Sequence, residues 1–308
     1  MTSLRTDDSA QSQRLSQRLS LPMGVLRAAR PKQWVKNVLV VAAPGAAGML
    51  TSPVSLLDTL IAFVAFCLAA SGTYLFNDAA DVEADRRHPR KRHRPIAAGI
   101  VPVTLARFLG AILVAASLAI SSLTGTWKLA AVVAAYLALT TSYTVWLKHI
   151  PVVDLVGVAA GFVLRALAGA AAVEVPVSSW FFIVASLGSL FIVGGKRESE
   201  LRNTEAAETR PSLKVYSHTY LSYVRSMSSG AAVVAYGLWA VERDQVLHLP
   251  IPLFTLSTVP FVLGVLRYAM LVDSGAGESP EELLLRDRAL QIFGVLLVVL
   301  VMTGIYAV

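Results

Sequence analysis

The chain reads as an all-α, polytopic membrane protein of nine transmembrane helices. Three observations predict this. Hydrophobic residues make up 55% of the 308 residues and charged residues only 15%, against about a quarter charged in an ordinary soluble domain. The mean hydropathy is +0.62. Nine apolar segments lie near 35–51, 55–79, 103–124, 127–147, 152–173, 178–198, 216–240, 249–271 and 287–307, each close to the roughly 20 residues that carry a helix across a bilayer. Within hydrocarbon a segment must satisfy its own backbone polar groups, so these segments are expected to be helices.

Nothing between the segments is long enough for a soluble domain. The expectation is a polar cytoplasmic tail over 1–24, rich in Ser, Gln and Arg, and one membrane domain over 25–308. The lone cysteine, Cys67, excludes an intrachain disulfide and reads as packing in an apolar helix. Of the 27 Lys and Arg residues, all but three lie on one side of the predicted spans; Lys128 and Arg243 fall on the other and Arg165 lies inside a span. Basic loops stay in the cytoplasm. The N-terminus is therefore expected inside and the C-terminus outside, in the inner (plasma) membrane. The partners expected from this balance are the lipid bilayer and no nucleic acid.

The first segment opens on Pro31-Lys32-Gln33-Trp34-Val35-Lys36-Asn37, with Pro suited to a first helical position. Lys32 and Lys36 lie one α-helical turn apart. They read as interfacial snorkelling or as phosphate contacts. Pro44 and Gly45 interrupt the segment. The second segment ends in Asn77-Asp78-Ala79-Ala80-Asp81-Val82-Glu83-Ala84-Asp85. At about 100° per helical residue, Asp78, Asp81 and Asp85 fall within roughly 60° of one another and Glu83 points away. Carboxylates at a bilayer edge need a balancing cation. Hard oxygen ligands suit Mg²⁺, which usually brings phosphate with it.

The basic run Arg86 to Arg94 that follows anchors on anionic lipid or, beside a bound metal, clamps phosphate through Lys91 and Arg94. Tyr143 and Lys148 close the fourth segment, as interfacial anchors or site groups. Arg165 sits at membrane depth in the fifth, where it should face a polar cavity or a counter-ion. Gly194-Gly195-Lys196-Arg197-Glu198-Ser199-Glu200 ends the sixth. Lys196 and Glu200 share a helix face. They form either a plain ion pair or a second wall of a phosphate pocket, with the glycines letting the helix end approach a ligand. Leu285-Arg286-Asp287-Arg288, before the ninth, reads as a charged cap or as a further site group.

An Asn-Asp-x-x-Asp-x-x-x-Asp motif closing the second of nine spans, with Tyr143 and Lys148 at the fourth and Arg165 in the fifth, resembles the UbiA-type intramembrane prenyltransferase superfamily. The resemblance implies a UbiA-type helical bundle in which two Asp-rich motifs bind Mg²⁺ and a diphosphate. The second motif, normally Asp-x-x-x-Asp, reads Lys196-Arg197-Glu198-Ser199-Glu200 here, so a lysine replaces one acidic ligand. Together with Arg30 to Asn37, Lys91 to Gly99, Gly195 to Leu201 and Leu285 to Gln291, this departure is similar to one branch of the superfamily, which acts in arabinogalactan cell-wall synthesis. That likeness implies a Mg²⁺-dependent glycosyl transfer from 5-phosphoribosyl 1-diphosphate to decaprenyl phosphate. It implies catalytic roles for Asp78, Asp81 and Lys196, and metal ligation by Asp78, Asp81 and Asp85. Substrate contacts are implied for Lys32, Lys36, Asn77, Lys91, Arg94, Tyr143, Lys148, Arg165, Arg197 and Glu200. It also implies self-association as a homo-oligomer, for which small-residue faces such as Ala166 to Ala171 allow close helix packing. Two other readings stay open. One is a UbiA-type prenyltransferase acting on an aromatic acceptor, against which Lys196 argues. The other is a polyprenyl-phosphate transporter, which would scatter polar residues at mid-membrane.

Overall fold

The computed structural model describes residues 20–89, 91–202, 213, 215–248, 250–275, 277 and 279–306. Among these, the regular secondary structure is entirely helical. Residues 1–19 of the expected tail lie outside the described residues. From Leu21 the chain is helical: α1 (Leu21–Ala28) buries Gly24 and Ala28 and exposes Met23 and Leu26, as a short interfacial helix does.

The first expected span departs from α-geometry. Pro31–Val41 forms an 11-residue 3₁₀ helix, followed by α2 (Ala42–Ala46). A 3₁₀ helix turns about 120° per residue, so Lys32 and Lys36 do not share a face. Lys32 is exposed, whereas the Lys36 side chain is 17% exposed. The other eight segments are long α-helices: α3 (Pro53–Ala80), α5 (Val103–Ser121), α6 (Trp127–Val145), α7 (Val153–Ala172), α8 (Ser179–Arg202), α9 (His218–Leu247), α10 (Leu253–Asp273) and α12 (Arg288–Tyr306). Two short helices, α4 (Val82–Arg87) and α11 (Pro280–Arg286), lie in loops. Seven of the eight long helices are apolar enough to cross a membrane. The eighth, α9, carries Arg225, Glu242, Arg243 and Asp244 along its 30 residues. The protein is a multi-pass helical membrane protein.

Its core is divided among helix seams. Val40, Phe66, Leu129, Tyr136 and Ala168 join the first segment to α3, α6 and α7. Leu155, Val193, Leu221 and Val224 join α7, α8 and α9. Phe191, Tyr268, Val272 and Leu290 join α8, α10 and α12. The last helix returns to the first segment, where the Leu50 N–H donates to the Tyr306 hydroxyl at 3.1 Å. Leu56, Leu60, Leu266 and Val295 are exposed on the outside, an apolar surface suited to lipid.

Small residues bring these helices close. A Cβ at Gly169 would lie 1.8 Å from the Val40 carbonyl oxygen. Ala168 and Gly169, within the run expected to support self-association, are thus taken up by the chain's own first segment. Gly195 has a similar role. A Cβ there would meet Val272 at 3.0 Å and Tyr268 at 3.4 Å, so this glycine admits α10 rather than a ligand.

Candidate active site

The acidic motif does not run along one continuous helix. α3 ends at Ala80, and Asp81 (φ −90°, ψ 10°) joins it to α4. Asp78 and Asp85, both 3% exposed, still converge, because Arg94 reaches both. Its Nη1 donates to Asp78 Oδ1 at 3.1 Å and to Asp85 Oδ2 at 2.8 Å. Arg30 donates from Nη2 to both Asp78 oxygens, at 2.6 and 2.9 Å, and lies 4.7 Å over the Tyr74 ring. Two buried carboxylates are therefore balanced by two guanidiniums, as burial of charge requires. Arg30 holds this position with φ 54°, a left-handed backbone uncommon for a side-chain-bearing residue and a form of strain that gathers at functional sites. Asp81 is half-buried at the helix break. Glu83 faces away, paired with Arg86 at 2.8 Å on the surface. The Asn77 amide oxygen accepts from the Thr144 hydroxyl at 3.0 Å, which ties α3 to α6.

A second cluster gathers at the ends of α6 and α8 and the start of α7. Arg197 is 2% exposed. It donates to Asp154 Oδ2 at 3.1 Å, Glu200 Oε2 at 2.6 Å and the Tyr143 hydroxyl at 2.9 Å. Tyr216 donates to the other Asp154 oxygen and accepts from the Val152 N–H at 2.6 Å. Lys196 lies 3.9 Å from Glu200, a looser pair than Glu200 makes with Arg197. On the far wall, Lys36 pairs with Glu281 at 3.3 Å. Lys196 interacts electrostatically with Glu200, Lys36 and Glu281, and Lys36 in turn with Arg165 and Arg30. Burial would push the Glu281 carboxyl up, but Lys36, Gln33 and Lys196 hold it below its ordinary range.

Arg165 is engaged within the protein. It donates to the Asn37 amide oxygen at 2.8 Å, the Gly161 carbonyl at 2.7 Å and the Tyr136 hydroxyl at 2.8 Å. The polar partners expected of an intramembrane arginine are thus supplied by the first segment, α6 and its own helix. Lys91 opens a 3₁₀ turn, Lys91–His93, and is partly buried, as is Lys148. Lys32 is exposed, and no ion pair from it appears among the described residues. Asp287 takes Arg267 at 2.6 Å and the Leu290 N–H at 2.9 Å; it caps α12, as its charge pattern predicted. Those contacts, led by the Arg267 hydrogen bond, hold its carboxyl below the usual range.

The donor chemistry fits Mg²⁺, which typically binds one or two carboxylates and completes its shell with water and substrate phosphate. Asp78 and Asp85 would supply that pair of hard, buried oxygen ligands. The expected trio is not assembled: among the described residues no three His, Cys, Asp or Glu are grouped to hold a metal. The physical reason is the helix break at Asp81.

Three site residues escaped the sequence reading, Asp154, Tyr216 and Glu281, and Arg30 entered it only as the first residue of a stretch carrying the family likeness. Asp154 had a legible signal, an acidic residue opening an apolar span. Glu281 had none, since a docked loop helix leaves no periodic mark, and the left-handed backbone that seats Arg30 left none either.

The chain matches the model of the UbiA prenyltransferase family over residues 38–286. It is 45% identical over 292 residues to a decaprenyl-phosphate phosphoribosyltransferase of Corynebacterium glutamicum, covering 93% of this chain and 88% of the relative. It is 47% identical over 283 residues to a protein of the same name from Mycobacterium tuberculosis, covering 89% and 91%. Among solved structures, a UbiA homolog from Archaeoglobus fulgidus bound to GPP and Mg²⁺ superposes with a TM-score of 0.70 at 18% identity, covering 92% of this chain and 100% of that one. At that identity the likeness shows the fold. With an all-helical bundle and a family match across most of its length, the chain belongs to the UbiA prenyltransferase family.

Proposed function

We propose that this protein transfers 5-phosphoribose from 5-phosphoribosyl 1-diphosphate to a polyprenyl phosphate, decaprenyl phosphate by analogy with its relatives, releasing diphosphate. The observation that carries the reading is identity of 45–47% across about nine-tenths of the chain with proteins of that name. The geometry supports it: two buried carboxylates carry Arg30 and Arg94, and two further lysines, Lys36 and Lys196, pair with Glu281 and Glu200. A Mg²⁺ ion held by Asp78 and Asp85 would neutralise charge on the leaving diphosphate. Arg30 and Arg94 already lie on those carboxylates and are placed to take diphosphate oxygens as charge-assisted partners. An oxygen of the lipid phosphate attacks C1 of the ribose as the C1–O bond to diphosphate breaks. That oxygen is anionic, so no strong base is needed. Lys196, where the wider family carries an acidic ligand, seats an anion. Arg197 is held by Asp154, Glu200 and Tyr143, and it fixes the end of α8 that presents Lys196.

The basic loops support a cytoplasmic face for the site. The test is product analysis of purified protein with Mg²⁺, decaprenyl phosphate and labelled phosphoribosyl diphosphate, run beside a polyprenyl diphosphate with 4-hydroxybenzoate. Label appearing in a lipid-phosphoryl pentose phosphate is the expected result. Prenylation of the aromatic acceptor alone would replace this reading with the prenyltransferase one.

A further inference from the structure

The reaction as written gives no role to Glu281, a carboxylate beside Lys36. Glu281 stands near the start of α11, in the loop between α10 and α12, with its side chain 14% exposed. Its Oε1 accepts from Gln33 Nε2 at 3.2 Å and pairs with Lys36 Nζ at 3.3 Å. Its Oε2 is buried and has no hydrogen-bond partner among the described residues. Leaving a buried acceptor unpaired costs about 1–3 kcal/mol, and native proteins seldom do so without a reason.

A negative charge beside Lys36 and Lys196 is also poorly placed for a pocket that takes only phosphates, since it repels them. It is well placed if the ligand also brings hydrogen-bond donors. A prenyl diphosphate has a hydrocarbon chain and no hydroxyl to offer. A pentosyl diphosphate carries two vicinal ring hydroxyls. Oε1 is fixed by Gln33 and Lys36, which leaves Oε2 as the oriented acceptor.

We infer that Glu281 Oε2 accepts a hydrogen bond from a ring hydroxyl of the sugar donor, and so makes this site selective for a pentosyl diphosphate over a hydrocarbon one. This rests on the phosphoribosyl reading above. Glu281 is here a specificity residue that touches the donor. The competing role is purely structural, with Glu281 serving only to pin α11 to the first segment.

The experiment measures kcat/KM with phosphoribosyl diphosphate and with its 2-deoxy and 3-deoxy analogues, in wild type, Glu281→Gln and Glu281→Ala. A site built around a substrate hydroxyl rejects the analogue lacking it strongly, so wild type should prefer the full donor over one analogue by at least about 100-fold. In Glu281→Ala that preference should fall to within about threefold, and in Glu281→Gln by at least about tenfold, because the charge-assisted acceptor is gone. If the alanine variant fails to elute as a folded species in detergent, the glutamine variant decides. Loss of activity with the preference intact in the variants, or a wild type indifferent to both hydroxyls, overturns the inference and leaves phosphoribosyl transfer standing. A wild type that does not consume phosphoribosyl diphosphate overturns both.

Discussion

Arg94 donates from one nitrogen to two carboxylates on different helices, and this contact reassigns the weight of individual residues. Helical periodicity places Asp85 about 20° from Asp78 and about 40° from Asp81, within the acidic face. Its burial and its shared guanidinium make it the equal of Asp78. Removing either carboxylate takes a partner from Arg94, whose side chain is 31% exposed, and would take away an oxygen able to hold the metal. Asp78→Ala and Asp85→Ala should each lower kcat on the order of 10²–10³-fold, the scale of losing one preorganised electrostatic contact. Glu83→Ala breaks only an exposed pair and should stay within about twofold. Turnover assays on detergent-purified variants that elute like wild type check this. A mild Asp85→Ala would show that Asp85 is not the equal of Asp78.

Between elements, the decisive contacts are close approaches that small or charged side chains permit. The 3₁₀ segment lies so near α7 that a methyl at Gly169 would overlap the Val40 carbonyl. Gly169→Ala should destabilise the fold by about 3 kcal/mol or more, the upper range for overpacking. Gly264→Ala, with nothing within 4 Å of the added atom, should shift stability by under about 1 kcal/mol. Thermal unfolding of the two variants in detergent makes the comparison. Docking of α11 rests on an ionised Glu281 whose folded pKa lies below its ordinary 4.5. A depressed carboxylate contributes stability above its unfolded pKa and loses it as pH falls through the folded one. Amide exchange in 280–286, corrected for its intrinsic pH dependence, should therefore quicken below 4.5 in wild type. Glu281→Gln should show no such step. An identical step in that variant would mean another group holds the helix.

For the molecule as a whole, the charged helix ends gather at one end of the bundle, around the exits of α3, α6 and α8. An apolar cavity lined by Lys128, Val132, Leu167 and Glu174 lies by the opposite ends of α6 and α7. Lys128 and Glu174 pair there at 2.8 Å. The native Cys67 is buried and gives little background to thiol labelling. Arg92→Cys, on an exposed loop, should react with an impermeant reagent only from the cytoplasmic side. Glu174→Cys should react only from outside. Ser199 is 3% exposed and would be a poor reporter despite its place in a charged motif. Labelling of both cysteines from one side would overturn the topology.

Composition and segment length were enough to establish a helical membrane protein, because hydrocarbon leaves an apolar chain few other ways to satisfy its backbone. The positions of the charged motifs were legible for a similar reason: carboxylates and arginines at a bilayer edge have to meet counter-charges. Periodicity also separated Glu83 from Asp78 correctly, since both sit close to a helical stretch. What it missed was set by contacts distant in sequence. The first segment became a 3₁₀ helix against α3 and α7, which exposed Lys32 and buried Lys36. The break at Asp81 left Asp85 to be recruited by Arg94. Arg165 found its partners in Asn37 and Tyr136, 128 and 29 residues away. Glu281 reached Gln33 across 248 residues. A local pattern records which face of a helix a residue occupies, but the partner that compensates a buried charge is chosen by three-dimensional packing.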